Sequence, residues 1–334
     1  MRCARGRRSL GVSENTPEEV GVMMRVPFHG RPVIAAAAIA VLAATAPSAW
    51  AHLPQTPVKT QPNPIREFGP AVTADYIAWQ QTTRRLPHTY NVLAQAMVAG
   101  APSGPVTRVN APNTVAFTGG ISGTRLAYQQ VVGRQSDIRY FNLVSHRHSK
   151  PPVGVNTTRW EYDPRIAPGW LLFGRNVHQT SRIILWNLTT NQRRVLLKIP
   201  FNRHGTAFAD TGQVNGDYAT FWACTNRTHC SVYLYTISSA TLTHITPPAG
   251  MEDYDSAVSG TGTLYFARGT FSCGVGIQLM QLPLGGSATS LNAFHSGTDL
   301  GALQTYNDGT NDQVFYSRFA CATNGYDIYR ITAP

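Results

Sequence analysis

Arg175, Arg268 and Arg318 each stand two residues after an aromatic ring, in LLFGR, LYFAR and VFYSR. A guanidinium presents a planar fork of N–H donors that grips a carboxylate through two parallel bonds, so three of them on one surface would hold an acidic or polar ligand. A second set of groups is acidic: Glu161, Asp163, Asp210, Glu252, Asp253, Asp255 and Asp299, with Arg203 and His204 among them. Two carboxyls facing each other across a cleft are the minimum for glycoside hydrolysis, and Glu161 with Asp163, or Glu252 with Asp255, could supply such a pair. Acidic oxygens converging from separate segments could hold a divalent cation, with Glu161, Asp210 and Asp255 as conceivable ligands. Glutamate is scarce, since only Glu67, Glu161 and Glu252 occur after residue 51.

Other chemistries find little support. His146 and His148 flank Arg147, but two histidines make an incomplete metal site. No GxSxG nucleophile elbow appears, and no S-x-D-x-G-x-T-W box. Cys224, Cys230, Cys273 and Cys321 form an even set without CxxC spacing, which in an exported chain reads as two disulfides with three possible pairings. The charge after residue 51 is +8, almost all of it arginine, with no run of Lys or Arg longer than two. Nucleic-acid binders concentrate basic residues on one element, so that partner is not expected. The sequons at Asn156, Asn187 and Asn226 are read as chance occurrences in an Ala- and Arg-rich, Lys-poor bacterial composition.

The elements that must position these groups repeat. YIAWQQ (Tyr76), RLAYQQ (Arg125), GWLLFGR (Gly169), DYATFWA (Asp217), TLYFAR (Thr263) and QVFYSR (Gln313) start 44 to 50 residues apart, a spacing typical of propeller blades. Each follows a turn of small or polar residues able to adopt positive φ, and each precedes another alternating run such as RIILWNLT or YDIYRIT. PVTRVN, RRVLLKI, TLTHIT and ATSLNAF supply fourth strands. The expected fold is therefore all-β, a six-bladed β-propeller of four-stranded antiparallel blades. Trp79, Tyr128, Phe173, Phe221, Phe266 and Tyr316 fill the space between neighbouring blades. The last unit lacks a fourth strand, and Leu53 to Ile65 is a spare extended segment whose prolines suit an outer edge. It is expected to pair with YDIYRIT and close the ring.

AVSGTGTLYFAR…GIQLMQL and TYNDGTNDQVFYSR…YDIYRIT resemble TolB-type repeats, of the broader WD-type six-bladed propeller class, with the usual Ser-Pro-Asp-Gly turn worn to Ala167-Pro168-Gly169 and Asn307-Asp308-Gly309. The resemblance implies architecture and carries over no catalytic residue. In such an arrangement the loops between second and third strands share a face with the connections from one blade to the next. Arg84, Arg85, Arg134, Arg175, His178, Arg182, Arg227, His229, Arg268 and Arg318 fall in the first class, and the acidic set with Arg203 and His204 in the second. That face is expected to bind a protein, peptide or cell-envelope ligand, with Arg175, Arg268, Arg318, Asp163, His204, Glu252 and Asp255 as ligand-binding residues and no metal or cofactor. Replacing the three arginines together is expected to abolish binding and spare the fold. The alternative is a hydrolase or lyase, lactonase-like or glycosidase-like, with carboxylates at the axial mouth.

Residues 1–51 are expected to be removed. Arg25 and Arg31 precede the apolar run VIAAAAIAVLAATA, and Ala49-Trp50-Ala51 provides small residues for cleavage after Ala51. The run is short of the roughly 20 residues that span a bilayer. Translation is expected to start at Met23 or Met24, and residues 52–334 to form one domain, a monomer secreted or held in the periplasm or cell envelope.

Overall fold

The computed structural model describes residues 52–61, 65–83, 90–201, 207–226, 229–270, 276–323 and 325–334. The leader segment lies outside them. All regular structure among the described residues is β, and no helix there is long and apolar enough to cross a membrane.

The strands follow the repeat. β1 (Thr56–Lys59) comes first, then β2 (Ile65–Val72), β3 (Tyr76–Thr83), β4 (Tyr90–Val98) and β5 (Ala101–Arg108) make one antiparallel sheet in sequence order. β6 (Val115–Ser122), β7 (Arg125–Val132), β8 (Gln135–Asn142) and the two-residue β9 (His148–Ser149) form the next set. It joins β10 (Trp160–Ala167), β11 (Trp170–Val177), β12 (Thr180–Asn187) and β13 (Arg193–Pro200) through the single parallel pair Trp160 with Ser136. β14 (Phe208–Asn215), β15 (Tyr218–Cys224), β16 (Cys230–Thr236) and β17 (Thr241–Ile245) follow. β18 (Glu252–Val258), β19 (Leu264–Gly269), β20 (Gln278–Leu282) and β21 (Thr289–Ala293) make another sheet. The last consists of β22 (Thr298–Asn307), β23 (Asp312–Ala320) and β24 (Gly325–Ala333), with β1 on its outer edge. There Thr56 faces Arg330 and Lys59 faces Ile328, with an irregularity after Pro57. Leu53 meanwhile packs on β21, donating its N–H to Leu291 O at 3.4 Å.

The first strands of the sets, β2, β6, β10, β14, β18 and β22, pack against one another in turn, and β22 packs against β2. All carry a register shift at the same place: Phe68/Ala71, Thr118/Ile121, Tyr162/Arg165, Thr211/Val214, Tyr254/Ser256 and Gly301/Gln304. A bulge bends its strand and re-aims the side chains around it. At Asp163 and Asp255 the bulged residue has φ of 43° and 40°, costly for a residue with a Cβ. Gly119 and Gly212 solve a different problem at the matching places. A Cβ on Gly119 would lie 2.3 Å from Pro164 O, and one on Gly212 would lie 2.4 Å from Ser256 O, so only glycine lets β6 meet β10 and β14 meet β18.

Toward the turns between first and second strands, β14 and β22 are tied together past β18. Gln213 Nε2 donates to Thr305 O at 2.7 Å, Thr305 N donates to Gln213 Oε1 at 2.9 Å, and Gln304 Nε2 donates to Gly212 O at 3.0 Å. A cavity of about 350 Å³ opens at this end, lined among others by Ile121, Ile166, Val214, Gln304 and Thr305.

Trp79, Tyr128, Phe173, Phe221, Phe266 and Tyr316 are all buried, at most 2% exposed. Phe221 packs with Leu172, Ile183 and Leu185 of the preceding set, and Trp79 with Phe315 and Ile328 of β23 and β24. Core between sheets buries faces that no single sheet could bury alone, each ring removing roughly 150–250 Å² from water. The Tyr316 hydroxyl also donates to Gln55 Oε1 at 2.9 Å, which anchors the segment leading into β1.

Deleting residues 52–60 should therefore lower Tm by about 5 °C or more and accelerate amide exchange selectively in β24. Unchanged exchange in β24 would show that β1 contributes nothing to that edge.

Candidate functional site

The acidic groups expected in loops between sheets lie inside the inner strands themselves, on β10, β14, β18 and β22. They form two levels with different environments.

The first level is a set of buried pairs between inner strand and second strand. Glu161, fully buried, lies 2.8 Å from Arg175 Nε and accepts from Thr157 Oγ1 at 2.6 Å. Asp253, equally buried, accepts two bonds of 2.7 Å from Arg268. Glu67 takes the same place on β2, accepting from Trp79 Nε1 at 3.0 Å and from Gln81 at 3.3 Å. Arg175 and Arg268 also lie over their own strand's rings, 5.2 Å from Phe173 and 5.1 Å from Phe266. Arg175 donates as well to the carbonyls of Gly154 and Val155. Burial pushes the carboxyls of Glu67, Glu161 and Asp253 up, against the pull of these partners.

These arginines are thus held by internal carboxylates, with side chains 6% and 14% exposed. The expectation that all three can be replaced without harm to the fold does not survive this burial: removing one member leaves a charge stranded in the interior. Arg318 differs. No described carboxylate lies within ion-pair distance of it, and its guanidinium sits 5.3 Å from Tyr329 and 6.0 Å from Phe294. Glu252 is buried at the start of β18, opposite Gly269. His204, with Arg84, Arg85, Arg203 and Arg227, lies outside the described residues.

The second level is the bulge and the residues beside it. Asp163 and Asp255 occupy bulges on β10 and β18, while Asp210 and Asp299 reach the same region from β14 and β22. The Asp163 and Asp210 side chains share a hydrogen bond, and Asp210 Oδ1 accepts from Thr211 N at 2.7 Å. The bulge itself is pinned by Thr211 Oγ1, which donates to Asp163 O at 2.6 Å. Asp255 accepts from the Ala302 N–H. Asp299 Oδ1 accepts from Tyr254 OH at 3.0 Å and from Leu300 N at 2.8 Å. One cation, Arg165, enters from β10, 7% exposed, with Nη1 donating to Gly119 O at 2.8 Å.

Negative charge therefore exceeds positive at this level. Burial first, then the neighbouring Asp163, holds the Asp210 carboxyl well above the usual range. Burial, with Asp299 and Asp163 adding to it, pushes Asp255 up to about 7 in spite of the Ala302 N–H and Arg165. Beside the carboxylates stands an aromatic wall. Phe319 stacks on Tyr326 at 4.3 Å, Phe68 lies 5.3 Å from the same ring, and the Asp299 and Asp255 charges help burial to push the Tyr326 phenol up.

Arg165, Tyr254, Tyr326, Phe68 and Phe319 were not singled out from the sequence. A usable signal existed for the pairs: Gln81 follows Glu67 by 14 residues and Arg268 follows Asp253 by 15, the length of one bulged hairpin. Among the described residues no group of three or more His, Cys, Asp or Glu side chains has metal-ligating geometry. Cys224 and Cys230 form a disulfide across the end of β15 and β16, and Cys321 is also disulfide-bonded. Cys273 lies outside the described residues. His148 sits on β9, its Nδ1 3.2 Å from Tyr128 OH, and His146 stacks on Phe141.

No family model matches the chain, and no curated protein matches it. Among solved structures it is similar to TolB from Acinetobacter baumannii, with a TM-score of 0.46 and 9% identity over 81% of this chain and 80% of that one. It is similar to an oligogalacturonate lyase in complex with manganese, with a TM-score of 0.47 and 10% identity over 85% and 98%. The β-propeller domain of the Trilobed protease from Pyrococcus furiosus gives a TM-score of 0.48 and 11% identity over 80% and 95%.

Two outcomes follow from this site. Arg268→Met should destabilise the protein by about 3–5 kcal/mol in denaturant melts, because Asp253 is left buried and unpaired; a change under 1 kcal/mol would contradict the pairing. Asp255 holds its proton more tightly folded than unfolded, so its contribution to stability is complete below about pH 4 and lost as pH rises to about 7. Asp255→Asn should flatten that part of the stability profile and raise Tm at pH 8. An unchanged profile would show that Asp255 titrates normally.

Proposed function

We propose that this chain is an exported, non-enzymatic binding protein, a six-bladed β-propeller whose last blade is completed by β1. Its ligand is a peptide or protein segment that places a cationic group at the axial mouth. One observation carries the reading: four carboxyl groups from β10, β14, β18 and β22 crowd one region beside the Phe68, Phe319 and Tyr326 rings, against two described cations, Arg165 from β10 and Arg66 of β2, whose guanidinium lies 5.8 Å from the Tyr326 ring. An ammonium or guanidinium relieves the mutual repulsion of the carboxylates and is attracted by aromatic faces. Asp163 and Asp255 are the contact residues, with Asp210 and Asp299 beside them. Arg318 stands at the rim, while Arg175 and Arg268 brace the strands that carry the site. Disulfides fit an exported protein, consistent with secretion or a periplasmic or envelope location.

The test is fluorescence anisotropy with a labelled pentapeptide carrying one central arginine, against the same peptide with citrulline. The arginine peptide should bind about tenfold more tightly, and the difference should grow from pH 6 to pH 8 as Asp255 loses its proton. Asp255→Asn with Asp299→Asn should remove it. Equal binding of both peptides would overturn the reading.

One feature favours a second reading, a hydrolase or lyase. The Asp210 carboxyl, held well above the usual range by burial and then by Asp163, lies against the Asp163 side chain, and carboxyls in contact are an arrangement that can divide acid and base roles. Turnover of a chromogenic glycoside or lactone that Asp210→Asn abolishes at unchanged Tm would put that reading first.

A further inference from the structure

The third repeat carries a row of like charges that the fold does not neutralise. Across β11, β12 and β13, Arg175 stands directly opposite Arg182, and Arg182 directly opposite Lys198. Residues so placed share a face with Cβ atoms about 5 Å apart, and like charges there are destabilising by roughly 0.2–1 kcal/mol. Glu161 answers only the innermost member. Arg182 makes a 3.4 Å contact from Nε to Thr180 Oγ1, and no described carboxylate lies within ion-pair distance of Arg182 or Lys198. Arg193, opposite Trp186, lies on the same face of β13 and is exposed, as is Lys198. At the inner end burial, with smaller contributions from Arg193 and Arg182, disfavours the charge on Arg175 against the pull of Glu161.

No corresponding row occurs in the other sets. The residues following Arg268 outward are Gln278 and Ala293, and Gln81 is followed by Asn91. The row is also accessible. Its face packs inward on Ile138 and Tyr140 of β8 through Phe173, Ile184 and Trp186, but the outer strand of the neighbouring set, β9, has two residues only. The outer part of β13 is left uncovered, with Val195 47% exposed. Val153, 94% exposed, belongs to the loop whose Gly154 abuts the Trp186 ring. The acidic and basic side chains on the packed elements are Asp137 and Arg139, which pair with each other at 3.6 Å, and the exposed Lys150 and Arg159.

We infer that the outer face of β12 and β13 is a docking surface for an acidic peptide segment whose carboxylates alternate with aliphatic side chains. Arg182, Lys198 and Arg193 receive the carboxylates; Val195 and Val153 receive the aliphatic groups. The two valines are what favour a peptide over a phosphate polymer, which has no apolar group to place there. The surface is separate from the axial mouth and does not depend on what binds there.

A fluorescein-labelled heptapeptide alternating glutamate and leucine, titrated with the full protein, tests this. It should bind at about 50 mM salt and weaken steeply by about 300 mM, as expected for exposed charges. Arg182→Gln, Arg193→Gln and Lys198→Gln combined should weaken binding about tenfold with a Tm no lower than the parent's, since the repulsion in the row is relieved. Arg108→Gln with Arg134→Gln, an equally exposed pair elsewhere, and Asp255→Asn should each bind like the parent. Val195→Ser should weaken binding about threefold. Undiminished binding by the triple variant, or an equal loss in the Arg108/Arg134 control, would overturn the surface. Tighter binding of inorganic polyphosphate than of the peptide, insensitive to Val195→Ser, would overturn the peptide assignment.

Discussion

The close approach of the inner strands is the constraint on which the rest of the molecule depends. β2, β6, β10, β14, β18 and β22 each touch the next, and at Gly119 and Gly212 no side chain fits between the neighbouring backbones. Each strand answers with a bulge at the same point. Where neighbouring backbones meet, the residue is Gly119 or Gly212. Where the bulge turns away, Asp163 and Asp255 take the strained position instead. The same geometric demand therefore produces both the glycines at which neighbouring sheets meet and the carboxyls that the inner strands hold at their bulges.

Charge in this protein is arranged against its own average. A chain with a formal charge of +11 places acidic groups along its inner strands and keeps much of its arginine outside. Buried pairs such as Glu161 with Arg175 are weak sources of stability, since desolvation offsets most of their attraction. Their role is better seen in position: each joins an inner strand to the second strand of its hairpin, two residues before the bulge residue. Asp210 and Asp255, which lack such a partner, hold their protons well above the usual carboxylate range, chiefly through burial.

Much of the fold was legible because its signal repeats. An aromatic residue every 44 to 50 positions, always in an alternating run after a turn, is enough to place Trp79 and Tyr316 in the same role although their surroundings differ. The pairing of β1 with β24 was legible as an unfinished repeat. The site was less so. Arg175, Arg268 and Arg318 look equivalent in sequence, yet two have an acidic residue across the hairpin and the third faces Leu300. The difference lies in which residue stands two positions before the bulge, Glu161, Asp253 or Leu300, and only the strand register picks out that position as the arginine's partner. Asp163 and Asp210 are likewise 47 residues apart in the chain, and nothing local tells that their side chains meet.

The last strand and the first are partners, and this orders events in time. A chain that emerges residue by residue must hold Thr56 to Lys59 without a partner until Gly325 to Ala333 has appeared. Closing so long a loop carries an entropic penalty and slows assembly. During that interval the pairing edge of β1 is open to other chains. Pro57 in β1 lacks the N–H that a growing aggregate would use, so the strand that waits longest is also a poor template for strangers.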